Sequence, residues 1–249
     1  MIGNLFIKKL MENNKIGLSL IIPIFNEKDN VKFLFDELKK LFNKVDFPME
    51  VILVDGDSSD GTAEGIKKHL ELNNNLHIRS IFNVPGKGYG GDIVSGLLQA
   101  KYEILSWTHA DLQTDLNDVL KGYRILLKNI NNKVIVKGKR KNRNIIDKTF
   151  SFGMQLVASL KLGFILDEIN AQPKVFTRKF FESISSKQFP NDFSLDLFLL
   201  LMAKRNGYSI KQFDVFFKTR LYGEPKGGGS FAGKINLIKR TLKYIFKTK

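Results

Sequence analysis

Short apolar runs that end abruptly in acidic or glycine-rich turns, each followed by a helix-spaced segment, constrain this chain more than any other feature. Leu18-Ser19-Leu20-Ile21-Ile22-Pro23 is apolar almost throughout, the pattern of a parallel strand buried on both faces. After a loop at residues 23–27, Val31, Leu34, Phe35, Leu38, Leu41 and Phe42 recur at helical spacing. The alternation then repeats. Residues 51–54 read as a strand with a helix from about Asp60, residues 77–82 as a strand with a helix over 92–101, and the run into His109 as a strand with a helix over about 116–128. A further strand is expected at 133–137. Such alternation predicts an α/β fold, a mostly parallel central sheet with helices on both faces. Ligands of such sheets bind at the carboxyl ends of the strands, so the residues just past each apolar run are the candidate site.

The sharpest of these ends is Ile104-Leu105-Ser106-Trp107-Thr108-His109-Ala110-Asp111-Leu112-Gln113. In an extended segment, alternate side chains point the same way, so His109, Asp111 and Gln113 are expected to converge on one point. Mg²⁺ and Mn²⁺ take carboxylate and amide oxygens, and Mn²⁺ also accepts an imidazole. The same residues could equally be a polar strand end whose Thr114 or Asp115 caps the next helix.

Two further turns carry chemistry. In Val54-Asp55-Gly56-Asp57-Ser58-Ser59-Asp60-Gly61-Thr62, a strand-end carboxylate can accept from a nucleobase N–H edge or bind ribose hydroxyls; Asp55 is the better placed, while Asp57 and Asp60 also suit helix capping. Gly86, Gly88 and Gly91 match the dinucleotide fingerprint G-x-G-x-x-G, with Asp111 about twenty residues on where that motif wants an acid. A nicotinamide-dependent oxidoreductase is therefore an alternative, although the fingerprint normally belongs to the first strand–helix unit. Lys87 suits a phosphate-bearing ligand in either scheme.

The formal charge of +15 over 249 residues implies an anionic partner: nucleic acid, an acidic membrane surface or phosphorylated small molecules. A nucleic-acid binder would leave the acidic strand ends unexplained, so no nucleic-acid partner is expected. The chain has no cysteine, which excludes disulfides and thiolate metal sites and is compatible with a reducing cytoplasm. No apolar run approaches the ~18 to 20 residues that span a bilayer, and the N-terminal residues lack a signal-peptide pattern. His69 and His77 flank a polar connection and read as solvated surface residues.

Leu20-Ile21-Ile22-Pro23-Ile24-Phe25-Asn26-Glu27, the Val54 to Thr62 turn, Gly86-Lys87-Gly88, His109-Ala110-Asp111-Leu112-Gln113 and Arg220-Leu221-Tyr222-Gly223-Glu224-Pro225-Lys226 stand in the order seen in family 2 glycosyltransferases. Within them the chain most resembles the dolichyl-phosphate mannose synthase branch, which includes polyprenyl-phosphate sugar synthases. The resemblance implies a GT-A fold, an inverting transfer from a UDP- or GDP-sugar with Mg²⁺ or Mn²⁺, and a lipid phosphate or glycan hydroxyl as acceptor. It implies that Pro23, Phe25, Glu27 and Asp55 hold the nucleoside, with Asp57 and Lys87 contributing to donor binding. Asp111 and Gln113 would hold the metal and diphosphate, Ala110 would line the site, and Arg140, Arg220 and Lys226 would meet phosphates. Three departures stand out. The family's acidic pair appears here as Asp55-Gly56-Asp57, its D-x-D as His109-Ala110-Asp111, and Asn170-Ala171-Gln172-Pro173-Lys174 replaces a Gly-Phe-Arg type segment. The second makes His109 a candidate nitrogen ligand.

The expected organisation is an N-terminal basic extension at 1–16, a GT-A domain at 17–222 with a nucleotide-sugar half to about 130 and an acceptor half beyond, a glycine-rich mobile loop at 223–233, and a basic amphipathic helix at 234–249. That helix would give peripheral contact with an anionic membrane, on its cytoplasmic face. A hydroxyl acceptor would need a base, for which Asp196 is the candidate, its alternative role being a helix-terminal charge. A phosphate acceptor would need none.

Overall fold

The structure is a computed structural model that describes residues 16–82, 88–141 and 167–218. In chain order the elements are β1 (Leu18–Ile24), α1 (Lys28–Phe42), β2 (Met49–Asp55), α2 (Thr62–Glu71), β3 (Ile78–Phe82), α3 (Gly88–Gln99), β4 (Ile104–Trp107), α4 (Asn117–Leu127), β5 (Val134–Lys141), β6 (Lys174–Thr177), α5 (Arg178–Ile184), α6 (Ser194–Arg205) and β7 (Ser209–Phe216). Seven strands form one sheet in the order β3-β2-β1-β4-β6-β5-β7. The pairs β2–β3, β1–β2, β1–β4 and β5–β7 are parallel, whereas β6 runs antiparallel to both β4 and β5.

Apolar side chains on the central strands alternate between two cores. Ile21 and Trp107 join α3, α5 and α6 on one face, while Leu20 and Ile22 join α1 and α4 on the other. A strand covered on both sides has no solvated face, which is why β1, β2 and β4 read as near-continuous apolar runs rather than alternating ones. Helix α1 buries Val31, Leu34, Phe35, Leu38 and Leu41, the stripe its spacing predicts. The mostly parallel α/β expectation holds, with β6 the reversed strand.

Two boundaries move. Helix α3 begins at Gly88, inside the glycine-rich stretch rather than at Asp92. Strand β5 runs on to Lys141 through Lys137, Lys139 and Arg140, because pairing with β7 along its whole length outweighs the loss of apolar character. The glycine-rich loop at 223–233, the amphipathic helix at 234–249 and nearly all of the basic extension lie outside the described residues, as do Lys87, Arg220 and Lys226. No described helix is long and apolar enough to cross a membrane.

Candidate active site

The loops after β1 and β2 are laced together at the carboxyl edge of the sheet. The Asn26 N–H donates to Ser58 Oγ at 2.8 Å and the Ser59 N–H to Asn26 Oδ1 at 2.8 Å. Beside them the Glu27 N–H donates to Thr62 Oγ1 at 2.9 Å, and the Lys28 N–H to Asp60 Oδ2 at 3.2 Å. Burial raises the Asp60 carboxyl, but donors from Thr62 and the Lys28 N–H outweigh it and hold the carboxyl below its ordinary value. Asp60 is thus a cap and cross-brace at the start of α2. Glu27 is nearly buried, its Oε2 accepting from Asn30 Nδ2 at 2.6 Å. Pro23 lies within β1 opposite Val54, and Phe25 stands at 46 % exposure, an apolar ring presented to solvent.

Asp55 ends β2 and is buried, with Oδ1 accepting from both the N–H and the hydroxyl of Ser58. Burial, followed by the neighbouring charges of Asp57 and Asp60, pushes its carboxyl up, against the pull of the Ser58 donors. Asp57 is exposed in left-handed backbone at φ 69°. The displaced acidic pair has a structural counterpart: a Cβ on Gly56 would fall 2.5 Å from Asp92 Oδ2. A carboxylate from α3 therefore stands where a side chain at position 56 would be. Asp92 was not singled out from the sequence, since a lone acid on an apolar helix carries no motif.

Beyond Trp107 the chain does not stay extended. Ala110 and Asp111 form a turn, and Leu112 takes φ 56°. The expected same-side alignment of His109, Asp111 and Gln113 is therefore only partly realised. His109 Nδ1 and Asp111 Oδ2 face each other at 3.9 Å, with side chains 27 % and 14 % exposed. The Gln113 amide instead donates from Nε2 to Lys218 O at 3.2 Å, and the Gln113 carbonyl accepts from the Lys218 N–H at 2.7 Å. Ala110 is buried in the α1-side core. Among the described residues no three His, Cys, Asp or Glu side chains form a metal cluster. The partly open carboxylate–imidazole pair nevertheless suits a hard divalent ion that takes further oxygens from a ligand.

A buried polar network backs onto this pair. Asp196 is 1 % exposed; its Oδ1 accepts from Lys174 Nζ at 2.7 Å and from Gln172 Nε2 at 2.9 Å. Lys174 also donates to the carbonyls of Ile169 and Ala171, so its three protons are used. Tyr89 OH lies 3.4 Å from Asp196 Oδ2 and 3.1 Å from His109 Nε2. Burial first, and then the Asp196 charge, hold the Tyr89 phenol protonated well above its ordinary value. Arg140 is likewise engaged, its Nε donating to Glu168 Oε2 at 2.6 Å. The departure at residues 170–174 thus supplies the amide and ammonium that surround Asp196.

The glycine fingerprint is put to a different use. The N–H groups of Gly90 and Gly91 donate to Asn191 O, and a Cβ on Gly90 would lie 2.2 Å from Pro190 O. The Gly90 and Gly91 amides are thus spent on the backbone at 190–192, and Gly86 of the fingerprint lies outside the described residues. The motif also follows β3 rather than the first strand. Among the described residues four non-glycine residues adopt positive φ, namely Asn26, Asp57, Leu112 and Glu168. All sit in loops at this same sheet edge, and such outliers concentrate at functional sites.

The architecture is an α/β sheet, mostly parallel, whose central strands end in acidic turns at one edge. The sequence profile described as Glycosyl transferase family 2 matches residues 19–182, and the chain belongs to that family; it is a glycosyltransferase. Among curated relatives, a dolichyl-phosphate beta-glucosyltransferase of Trichomonas vaginalis is 22 % identical, covering 97 % of this chain and 78 % of the relative. A dolichol-phosphate mannosyltransferase of Pyrococcus furiosus is 30 % identical over 39 % of this chain and 26 % of its own length. Among solved structures, a mannosyltransferase of Pyrobaculum calidifontis in complex with GDP-Man and Mn²⁺ superposes with TM-score 0.66 at 18 % identity, covering 93 % of this chain and 64 % of that one. Glucosyl-3-phosphoglycerate synthase of Mycobacterium tuberculosis, with Mg²⁺ and UDP, gives TM-score 0.71 at 15 % identity, covering 97 % and 82 %. These likenesses establish the GT-A fold. Family membership selects glycosyl transfer over the oxidoreductase and nucleic-acid alternatives.

Proposed function

We propose that this glycosyltransferase moves a hexose from a UDP- or GDP-sugar to a polyprenyl phosphate, with inversion at the anomeric carbon. The observation that carries the reading is the placement of Asp55, at the end of β2, and of His109 and Asp111, just past β4, at the carboxyl edge of the two strands that flank β1. Asp55 and Phe25 meet the nucleoside, and Asp111 with His109 takes Mg²⁺ or Mn²⁺, with Gln113 positioning the adjoining segment. Lys87, Asp57, Arg140, Arg220 and Lys226 are assigned to phosphate and donor contacts. When bound, the cation supplies positive charge to the diphosphate oxygens on which charge develops.

The state of Asp196 favours a phosphate acceptor. A general base must come within reach of the proton it removes, and Asp196 is buried and ion-paired to Lys174. A phosphate oxygen arrives already anionic. It attacks the anomeric carbon from the face opposite the leaving group, the carbon–oxygen bond to the diphosphate breaks, and nucleoside diphosphate departs with the electron pair. Relatives named for dolichyl phosphate support the same class of acceptor. Residues 234–249, with Lys234, Lys239, Arg240, Lys243, Lys247 and Lys249 among Ile235, Ile238, Leu242, Ile245 and Phe246, are proposed to bring the enzyme to an anionic membrane carrying that lipid.

Calorimetry with UDP and GDP, with and without Mn²⁺, tests the reading. Metal-dependent binding of one nucleotide is expected; absence of binding to either removes the donor assignment.

A further inference from the structure

The two oxygens of Asp55 are not equivalent. Oδ1 accepts from the Ser58 N–H at 3.3 Å and from the Ser58 hydroxyl. The direction of that hydroxyl is fixed, because Ser58 Oγ itself accepts at 2.8 Å from the Asn26 N–H, a group that can only donate. The Ser58 proton therefore goes to Asp55, and both lone pairs of Oδ1 are taken. Oδ2 accepts from none of the described residues. Asp55 is only 3 % exposed, and a buried anionic oxygen without a donor is costly. One acceptor, held in a fixed direction at the end of β2, is left for a ligand.

The neighbouring strands indicate what kind of group would use it. Asp55 pairs in register with Ile24 on β1 and with Phe82 on β3. Phe82 and Phe25, the residue after Ile24, are 45 % and 46 % exposed. Exposed aromatic rings on both flanks suit a flat base, which stacks, better than a ribose. Bases differ in what they offer a lone acceptor. Uracil has a single ring N–H, at N3, between two carbonyls. Guanine has N1–H beside its N2 amine, two parallel donors that a carboxylate satisfies with both oxygens. A guanine here would turn one of them toward Oδ1, whose lone pairs are spent. Three nearby acids do not supply the missing acceptor. Asp60 spends Oδ1 on Thr62 and Oδ2 on the Lys28 N–H. Asp92 stands on the side of position 56, and consecutive strand positions point to opposite faces. Asp57 is exposed, so a bond to it competes with water and discriminates little.

Resting on Asp55 as the nucleoside contact proposed above, we infer that Ser58 is a specificity-determining positioning residue: by occupying Asp55 Oδ1 it leaves Oδ2 as a single acceptor, and so selects a uridine donor over a guanosine one. Ser58 acts through Asp55, and Asn26 fixes the direction in which it does so.

The test is calorimetry on the full-length chain in saturating Mn²⁺, comparing UDP, UDP methylated at N3, and GDP. UDP is expected to bind about 10- to 100-fold more tightly than either, the difference made by one hydrogen bond to a charged acceptor. Ser58→Ala returns a lone pair to Oδ1, so the preference for UDP over GDP is expected to shrink about 5- to 10-fold. A merely structural loss would weaken both nucleotides and leave their ratio unchanged. Ser58→Thr keeps the hydroxyl and should keep the ratio; where Ser58→Ala does not fold, Ser58→Cys, a weak donor, takes its place. GDP binding as tightly as UDP overturns the inference while the donor reading stands. N3-methylated UDP binding like UDP overturns it too, since Asp55 would then hold the ribose. An unchanged ratio in the folded Ser58→Ala or Ser58→Cys variant removes Ser58 as the selector. Binding of none of the three nucleotides overturns this inference and the donor assignment together.

Discussion

Lys137 on β5 and Lys174 on β6 are direct register partners across an antiparallel pair, and both side chains are buried, at 1 % and 0 % exposure. Lys174 is neutralised by Asp196, whereas Lys137 donates to the carbonyls of Gly138 and Glu168. Burial, followed by the Lys174 charge, lowers Lys137 to about 7, while Asp167 and Glu168 pull the other way. Burial also lowers Lys174, against its Asp196 partner.

The sign of the resulting pH dependence follows. In the unfolded chain a lysine stays protonated to about pH 10.4; in the folded protein Lys137 releases its proton above about 7. Unfolding therefore takes up a proton across this window, and stability is expected to rise from about pH 7.5 to 9.5, by at most about 1.4 kcal/mol per pH unit for one such group. Lys137→Met should flatten most of that rise in denaturant titrations run across the window. An equal slope in the variant would place the dependence elsewhere.

Asp111 has a narrower role to check. Asp111→Asn keeps the size and the turn but removes the charge that would hold the cation, and turnover should fall by about 10²-fold or more. Near-normal rates with unchanged Mn²⁺ dependence would show the metal site to be misplaced.

Gly90 tests whether the start of α3 is packing or a ligand cradle. A Cβ there would meet the carbonyls of Pro190 and Asp192, backbone that cannot swing aside. Gly90→Ala should cost about 1–3 kcal/mol of stability, and NAD should bind neither protein. An alanine variant as stable as the wild type would contradict the observed closeness.

The membrane proposal depends on residues 234–249 alone. Sedimentation with vesicles of 30 % anionic lipid is expected to pellet the full chain and not a chain truncated after Gly233, with the difference shrinking as salt rises. Equal pelleting of the two would remove it.

The first half of this fold was legible because β1, β2 and β4 are covered on both faces and are apolar at most positions. Asp55 and Asp111 could be picked as strand-end carboxylates for the same reason. What the pattern did not disclose depends on the third dimension. β6 contributes only Lys-Val-Phe-Thr, too short for a periodic signal and headed by a lysine whose burial makes sense only beside Asp196. The alternation rule applied to His109, Asp111 and Gln113 assumed an extended backbone, and the turn at Ala110 and Asp111 broke it. Asp92 and Tyr89 were invisible as site neighbours because they lie on a helix whose glycines suggested another ligand altogether.

Because β6 runs against its neighbours, it presents its beginning where β4 and β5 present their ends. The stretch from Glu168 to Pro173 thereby arrives at the carboxyl end of β4 from the second half of the chain, delivering Gln172 to Tyr89 and Asp196, with Lys174 beside it on Asp196. Exchanging that short inlet would change the polar groups around Asp196 while leaving β1, β2 and β3 paired in register. One inverted strand thus separates what can diversify in this enzyme from what must stay put.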